Sequence, residues 1–361
     1  MPGLARRIGA ALSVLALTAC GLGEGAVEDD GAQVTLRFAL YISDQNVYYQ
    51  EGAEPFKGYV EEHSGGEIAV ELYPAEQLGN ARDSLAMLRS GIADLAFTIP
   101  TYEPELRYST GWELPLGMDT EQIVEGRWAS YHEDGPLAEQ YRDAGVVPLV
   151  TNTGSPFHVS STSRPLPDLE SVRGLRIRTG SDIHMDLVER LGANAVEGAS
   201  SEQFEQLDRD IVNGTVFHYG GYRANGLDTL LGHSAPDVPL PPPAQNTFMS
   251  QETWEGLSEE HRRIVYEAGR RVSEDSTTAS IAESDAELDA FTADGFSEHT
   301  WPQEDLDRVD ALFADAPEQW AEDLGGDAGG ALEQIEQLGA RTDGQGPTEL
   351  EADFESFRFP G

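Results

Sequence analysis

The sequence has little cysteine and little positive charge. Its 361 residues contain one cysteine, Cys20, which excludes a disulfide within the chain and a zinc site built from several thiolates. Lysine and arginine number 23 against 65 aspartates and glutamates, so the formal net charge is −42. A chain with so few basic residues has no basic face for a phosphate backbone, and we expect no nucleic-acid partner.

Motifs of common catalysts are also missing. The chain has no Gly-x-Ser-x-Gly, no His-Glu-x-x-His, no phosphate-binding loop and no calcium-loop spacing. Aspartate and glutamate pairs occur throughout the sequence, so they cannot indicate acid-base catalysis at any one place. We therefore expect a protein that is not an enzyme and that needs neither cofactor nor metal.

Long apolar runs are absent except at the amino terminus. Arg6 and Arg7 precede the apolar run 8–17, and Leu-Thr-Ala-Cys follows it and ends at Cys20. This order predicts an export signal over 1–20 of the lipoprotein type, in which Cys20 carries the lipid. Residues 21–33 predict a flexible tether. We expect the protein outside the cell or in the periplasm, anchored to the outer face of the cytoplasmic membrane; the alternative is a buried helix that ends in cysteine.

Strand and helix patterns alternate twice along the chain. Apolar residues alternate over 34–40, and helical and strand patterns then follow to residue 97 as βαβαβ; a similar series restarts near residue 157. The Pro-rich segment 236–243 is predicted to lie outside any sheet. From Ser258 to Phe291 one helical pattern continues, with an apolar side listed as Ile264, Ala268, Val272, Ala279, Ala282 and Ala286. Such a helix, about 50 Å long, exceeds the width of one small lobe.

Four stretches in this order resemble the substrate-binding subunit of the tripartite ATP-independent periplasmic (TRAP) transporters, of the dicarboxylate-binding type. They lie at 65–74 followed by 77–79, at 89–96, at 168–178 with 191–193, and at 202–207 leading to 212–214. The resemblance implies an α/β, two-lobed fold of the periplasmic-binding-protein kind, each lobe a sheet flanked by helices, with one long helix spanning both. It also implies a small organic acid enclosed between the lobes and delivered to a membrane permease driven by an ion gradient.

The predicted division of the chain gives each lobe two segments. Residues 34–155 and 245–285 form lobe I, and residues 156–244 and 286–361 form lobe II. We expect a monomer.

Arg178 is the main candidate for ligand binding. In Leu175-Arg-Ile-Arg178 the apolar and basic residues alternate, and Arg178 stands at the carboxyl end of the predicted strand, where ligands bind in open α/β sheets. A guanidinium offers a planar fork of donors that matches a carboxylate. From the residues alone, an ion pair at the surface or between lobes remains an equal alternative. The resemblance implies that Arg178 clamps the ligand carboxylate, and that Arg176 is solvated.

Further candidates concern the shape and polarity of the cleft. His158 stands where relatives that bind acidic sugars often carry a second arginine, and Phe217, followed by Tyr219, replaces polar residues of the family pattern. These departures favour an aromatic or hydrophobic acid, although alternating aromatics also suit a core and His158 also suits an ordinary strand position. Tyr41 and Thr98 follow or end predicted strands of lobe I and could line the cleft.

Two other functions remain open from the sequence. An exported hydrolase would return an altered ligand, whereas a receptor returns it unchanged. A sensor that presents its ligand to a signalling protein would differ from a transport receptor only in its partner.

Overall fold

The computed structural model describes residues 33–341, 350 and 353–359. Cys20, the predicted signal peptide and residues 21–32 of the predicted tether lie outside the described residues. None of the described helices is long and apolar enough to cross a membrane.

The described residues form two sheets with helices packed around them. The strands are Val34–Leu40 (β1), Ile68–Tyr73 (β2), Leu95–Thr98 (β3), Val146–Asn152 (β4), Phe157–Ser161 (β5), Arg176–Thr179 (β6), Asn194–Glu197 (β7), Gly214–Phe217 (β8), His233–Leu240 (β9), Gln245–Ser250 (β10) and Ser297–Glu298 (β11). The α-helices are Glu54–His63 (α1), Ser84–Arg89 (α2), Thr120–Ala129 (α3), Pro136–Asp143 (α4), Leu169–Val172 (α5), Asp182–Arg190 (α6), Gln203–Asp208 (α7), Gly220–Ala224 (α8), Gln251–Gly256 (α9), Glu259–Ala293 (α10), Gln303–Phe313 (α11), Ala316–Leu324 (α12) and Ala328–Gly339 (α13). A π-helical turn spans Tyr49–Ala53, and 3-10 segments span Ala81–Asp83, Pro100–Tyr102, Pro104–Glu113, Ser200–Glu202, Leu227–Thr229 and Phe354–Ser356.

The first sheet has five strands in the order β2-β1-β3-β10-β4. Strand β1 is parallel to β2 and β3, as the βαβαβ pattern predicts, while β10 is antiparallel to both β3 and β4. Leu36, Phe38 and Leu40 of β1 are all buried, which explains the alternation seen in the sequence. The parallel strands therefore end at one edge of the sheet, where a ligand can be held.

The second sheet has six strands in the order β11-β9-β5-β8-β6-β7. Strand β6 is parallel to β7 and β8, and β5 is antiparallel to β8 and β9. The expectation that 236–243 lies outside any sheet is wrong for residues 236–240, because β9 carries Pro236 and Pro239; residues 241–243 follow β9 and lie outside the sheets. Proline has no N–H for a ladder, and the pairing of β9 with β5 shifts register across this stretch, which accommodates both prolines.

The long helix is present as α10, with 35 residues. The Ser258 side chain accepts a hydrogen bond from the backbone N–H of His261 and so caps it, as predicted. The helix packs against α1 and β4 in its first half and against α8 further on. Its buried face differs from the predicted one: Ala282 and Ala286 are exposed, and buried serines and threonines take their place, at Ser273, Ser276, Thr277, Ser280 and Ser284.

Two core clusters correspond to the two sheets, and the chain crosses between them after β4, after β9 and along α10. The predicted α/β, two-lobed fold with one long helix is confirmed. The end of the chain differs from the predicted division: α13 packs with α3 and α4, and Phe357 and Phe359 join the cluster of the first sheet. Trp254 Nε1 donates to the Phe359 carbonyl at 2.6 Å, so this end of the chain lies on lobe I.

Candidate functional site

A cavity of about 270 Å³ lies between the two sheets. It opens beyond the carboxyl ends of β1, β3, β6 and β8, which is the place where open α/β sheets hold ligands. Residues from both lobes line it, among them Tyr41, Tyr48, Glu76, Ile99, Tyr102, Phe157, Arg178, Ser181, His184, Ser200, Phe217, His218 and Gln245.

Arg178 is the last residue but one of β6 and lies almost wholly buried at the cavity, with 2% of its surface exposed. Its Nε donates to the carbonyl oxygen of Gly198 at 2.9 Å, which fixes the guanidinium plane. No carboxylate oxygen of any described residue lies within 4.0 Å of the guanidinium, whereas Arg176 pairs with Asp210 at 2.8 Å on the surface. Gly180 allows the close approach of this group, because a Cβ there would lie 3.1 Å from Arg178 Nη2. The guanidinium is therefore buried, held by the backbone and without an anionic partner in the part of the chain that the structure describes.

Burial lowers the pKa of Arg178, and the nearby tyrosines Tyr102 and Tyr41 and the charge of Glu202 oppose this effect. A guanidinium stays protonated in proteins even so. The same burial raises the pKa of the Tyr41 hydroxyl well above its ordinary value, while the charge of Arg178 acts in the opposite direction. The cavity thus has one cationic end with neutral hydroxyl groups beside it.

Aromatic rings form one wall of the cavity. The Phe157 ring lies 5.5 Å from the Phe217 ring and 5.6 Å from each of the His184 and His218 rings, measured between centroids. The Arg178 Cζ atom lies 6.0 Å from the Phe217 centroid. Burial lowers the pKa of His184 to about 4 and that of His218 to about 3, so both imidazoles are neutral at pH 7. This wall is aromatic and uncharged.

Polar groups without partners lie on the hinge side of the cavity. Gln245 begins β10, and its Oε1 is buried with no hydrogen-bond partner. His218 Nδ1 is likewise buried and unpartnered among the described residues. A Cβ at Gly154 would lie 2.8 Å from the Tyr48 hydroxyl oxygen and 3.7 Å from His218 Nδ1, so these two polar atoms converge on the same glycine. We call Tyr48, His218 and Gln245 the neutral pole.

Charge in the lining is sparse. Among the described residues that line the cavity, Arg178 is the only arginine or lysine and Glu76 is the only carboxylate. Glu76 Oε1 accepts the backbone N–H of Ala81 at 3.0 Å, so its carboxylate is held in place. A ligand with one negative charge therefore meets one cation, and a second negative charge has no cation to meet.

The lobes touch each other at the rim of the cavity. Arg82 of lobe I pairs with Glu197 of lobe II at 2.6 Å, and its Cζ lies 5.0 Å from the centroid of the Tyr102 ring. The Tyr102 hydroxyl accepts the backbone N–H of Ser200 at 3.2 Å. These contacts join the lobes over the cavity and show that the structure is a closed form.

The structure brings three of the predicted ligand-binding residues to the cavity: Tyr41, Arg178 and Phe217. Thr98 does not line it. As the last residue of β3 it is fully buried, and its Oγ1 donates to Glu103 Oε1 at 3.5 Å.

His158 and Tyr219 also lie elsewhere, stacked on each other at 4.3 Å between centroids. The pairing of β5 shifts between residues 157 and 159, so Phe157 rather than His158 reaches the cavity. Strand β8 ends at Phe217, and the chain turns into α8, so strand alternation no longer governs Tyr219; its hydroxyl instead bonds Ser234 and Glu298, each at 2.7 Å.

Sequence reasoning missed His218, Gln245 and Phe157. Phe157 begins the predicted strand and His218 directly follows Phe217, so both stood beside residues that were selected. Gln245 begins a strand that carries no distinctive motif. Only its position after the second crossing between lobes could have suggested a cleft residue. In the part of the chain that the structure describes, no group of three or more metal-ligating side chains occurs.

The two sheets, the crossings between them and the buried cation in the cavity together define a two-lobed solute-binding protein. Comparison with known families agrees, since the family model for the bacterial extracellular solute-binding protein, family 7, matches residues 38–323. The chain belongs to this family. The predicted resemblance to the substrate-binding subunit of TRAP transporters is confirmed, and the chain is a solute-binding receptor by family rather than a hydrolase.

Individual relatives are distant. A solute-binding protein of Chromohalobacter salexigens is 24% identical over 222 residues, which cover 60% of this chain and 64% of that relative, just under two thirds of its length. The sialic acid-binding periplasmic protein SiaP of Vibrio cholerae is 25% identical over 275 residues, covering 72% of this chain and 80% of SiaP. A marine metagenome TRAP solute-binding protein, specific for aromatic acids and solved with metahydroxyphenylacetate, matches with a TM-score of 0.78. The two sequences are 20% identical, and the match covers 86% of this chain and 99% of the marine protein's chain. This likeness shows that the two proteins share a fold.

Proposed function

We propose that this receptor captures an aromatic or hydrophobic monocarboxylate in the cavity and delivers it to a TRAP permease. One observation carries the proposal: a guanidinium, Arg178, lies buried in the cavity with no carboxylate partner in the described chain. Removing a charge from water costs several kcal/mol unless a counter-ion is supplied, and none of the described residues supplies one to Arg178, so a ligand carboxylate would do so. A carboxylate accepts two parallel bonds from the fork that remains after Nε bonds Gly198.

The lining supports an apolar body on the ligand. Phe157 and Phe217 form the wall beside Arg178, and Tyr41 and Tyr102 close the opposite side at 5.8 Å between centroids. Flat rings in such contacts favour an aromatic partner by about 0.5–1.5 kcal/mol per pair. The marine relative named above binds aromatic acids, which agrees with this choice.

The test is calorimetric titration with benzoate as the probe, on the wild type and on single-residue variants. Arg178→Ala should weaken binding by about 2–5 kcal/mol, because the desolvated carboxylate loses its partner. Arg178→Lys should recover part of this, since an ammonium cannot form the two parallel bonds. Arg176→Ala, in the same strand but exposed and paired with Asp210, is the matched control and should bind as the wild type does. Equal affinity of Arg178→Ala and wild type would exclude Arg178 from the site.

Membrane attachment through Cys20 belongs to the same proposal. The lipid would hold the receptor at the outer face of the cytoplasmic membrane, near its permease, and the receptor would act as a monomer. Cell fractionation of Cys20→Ala should move the protein from the membrane fraction to the soluble exported fraction. Light scattering after size-exclusion chromatography checks the monomer.

A further inference from the structure

A short segment of lobe II, residues 197–202, contacts the ligand-binding arginine on one side and lobe I on the other. We call it the rim segment. The carbonyl oxygen of Gly198 accepts a hydrogen bond from Arg178 Nε at 2.9 Å. Glu202 Oε2 accepts the backbone N–H of Ala199 at 2.7 Å, which holds the segment in a tight turn. The position of the rim segment is therefore tied to that of the Arg178 side chain.

Two side chains of lobe I bind the other side of the rim segment. The Tyr102 hydroxyl accepts the backbone N–H of Ser200 at 3.2 Å, and Arg82 pairs with Glu197 at 2.6 Å. The Arg82 and Glu197 side chains are 44% and 56% exposed, and exposed ion pairs contribute little. Tyr102 is only 3% exposed, so water competes less for its hydrogen bond. Of the two contacts, we expect the one made by Tyr102 to be the stronger.

Tyr102 also belongs to a small apolar cluster that includes residues of both lobes. Ala81, Ile99 and Tyr102 come from lobe I, and Ala199 of the rim segment comes from lobe II. Opening of the cleft would separate Ala199 from the other three. The cluster and the Tyr102 hydrogen bond therefore form together, when the lobes close on the rim segment.

We infer that Tyr102 is a positioning residue that couples occupancy of Arg178 to closure of the lobes, acting through the rim segment. A carboxylate bound by the guanidinium fixes Arg178, and the bond to the Gly198 carbonyl then fixes the rim segment. The fixed segment presents the Ser200 N–H to Tyr102 in the geometry that the closed form requires. This inference rests on the proposed function, because it starts from a carboxylate at Arg178, and it adds the route by which lobe I responds to the ligand.

The first experiment is stopped-flow measurement of benzoate association and displacement. Tyr102→Phe keeps the ring in its cluster and removes the hydroxyl, so dissociation should become about tenfold faster, the scale of one net hydrogen bond. The association rate should stay within about twofold, because the ligand enters the open form, in which this bond is absent. Tyr222→Phe is the matched control: its buried hydroxyl bonds Ser160 within lobe II, outside the cavity lining, and both rates should stay within about twofold.

A second variant removes the same hydrogen bond from lobe II. Ser200→Pro deletes the N–H, and the site accepts proline because Ser200 is the first residue of a 3-10 turn and Ala199 before it is extended, at φ −67° and ψ 161°. It should also speed dissociation about tenfold. If wild type binds benzoate but both Tyr102→Phe and Ser200→Pro dissociate at the wild-type rate, the inference is overturned and the proposed function stands. If wild type does not bind benzoate, the proposed function fails and the inference fails with it.

A double-mutant cycle separates coupling from a merely structural role. Arg178→Lys removes the Nε bond to Gly198 and so breaks the connection between the carboxylate and the rim segment. In calorimetric titration, Tyr102→Phe should weaken benzoate binding about tenfold in the wild-type background and at most about twofold in the Arg178→Lys background. Equal effects in both backgrounds would overturn the coupling, since a tyrosine that only stabilises the fold would weaken binding alike in each.

Discussion

A buried carboxyl near the cavity makes the stability of this protein depend on pH. Glu113 has 0% of its surface exposed. Thr101 Oγ1 donates to its Oε1 at 2.7 Å, while its Oε2 lies within hydrogen-bond distance of no donor among the described residues. Burial raises the pKa of Glu113 from its ordinary value of 4.5 to about 7, and the nearby hydroxyls of Ser181 and Thr101 and the charge of Arg127 oppose that rise without cancelling it. Folding therefore favours the protonated form.

The sign of the effect follows from this rise. Because the pKa of Glu113 is higher in the folded than in the unfolded state, its contribution to stability is fully present below about pH 4.5 and is lost as the pH rises to about 7. The difference between 4.5 and about 7 corresponds to about 3 kcal/mol. Glu113→Gln keeps the shape without the charge, so it should match the wild type near pH 4.5 and exceed its free energy of unfolding by about 3 kcal/mol at pH 8.

The assay is urea unfolding of both proteins at several values between pH 4.5 and pH 8. Comparing the two at each pH removes the contribution of every other group that titrates. Glu336→Gln, at an exposed position of α13, is the control and should follow the wild type throughout. Glu113→Gln less stable than the wild type at pH 8 would refute the reasoning, since it would mean that the site stabilises an ionised carboxylate.

Three further predictions concern closure and charge. Glu197→Gln removes the exposed interlobe pair with Arg82, and stopped-flow displacement should show benzoate leaving about two- to fivefold faster; an unchanged rate would mean that the pair contributes nothing to closure. Benzoate should lower the radius of gyration in small-angle scattering, because a cleft ligand stabilises the closed state, and superimposable apo and saturated curves would contradict hinge closure. The net charge of −42 repels an anionic ligand at long range, and salt screens this repulsion while it screens the buried Arg178 contact little. The association rate should therefore rise as salt increases from low to physiological strength. A falling rate would indicate a positive cleft mouth.

The sequence predicted the framework well because the framework obeys short-range rules. Alternation over β1, the βαβ order and the Ser258 cap all reflect contacts within a few residues, and each appears in the structure. Arg178 was found in the same way, since alternation placed it opposite Ile177 and at a strand end. The family resemblance added that this strand end faces a cleft.

The sequence could not predict where regular alternation stops. Tyr219 was selected because it follows Phe217 by two residues, but β8 ends at Phe217 and α8 begins at Gly220. His158 was selected on a strand whose register shifts beside it, which brings Phe157 to the cavity instead. Both errors come from backbone irregularities at strand ends, which depend on the packing of distant segments rather than on the local pattern.

The buried face of α10 was missed for a related reason. Apolar periodicity selected Ala282 and Ala286, but the face that packs is small and partly polar. Ser280 Oγ lies 2.9 Å from the Tyr48 hydroxyl, and Ser276 Oγ receives the Asn152 amide at 2.9 Å. Hydroxyl groups can be buried where the backbones of hinge strands need partners, and a hydrophobicity pattern assigns such residues to solvent.

If the receptor binds a monocarboxylate as we propose, the charges around the cavity predict that it rejects dicarboxylates, although its family resemblance is to the dicarboxylate-binding type. Arg178 is the only arginine or lysine in the described lining, Glu76 adds a negative charge, and Gln245 and His218 in the same lining are neutral. A second ligand carboxylate would be desolvated there without a counter-ion, at a cost of several kcal/mol. At about 1.4 kcal/mol per factor of ten, even 4 kcal/mol separates a monocarboxylate from a dicarboxylate of similar size by about a thousandfold. We therefore expect one buried cation to select for one ligand charge, with monocarboxylates binding more tightly than dicarboxylates of similar size in a calorimetric titration.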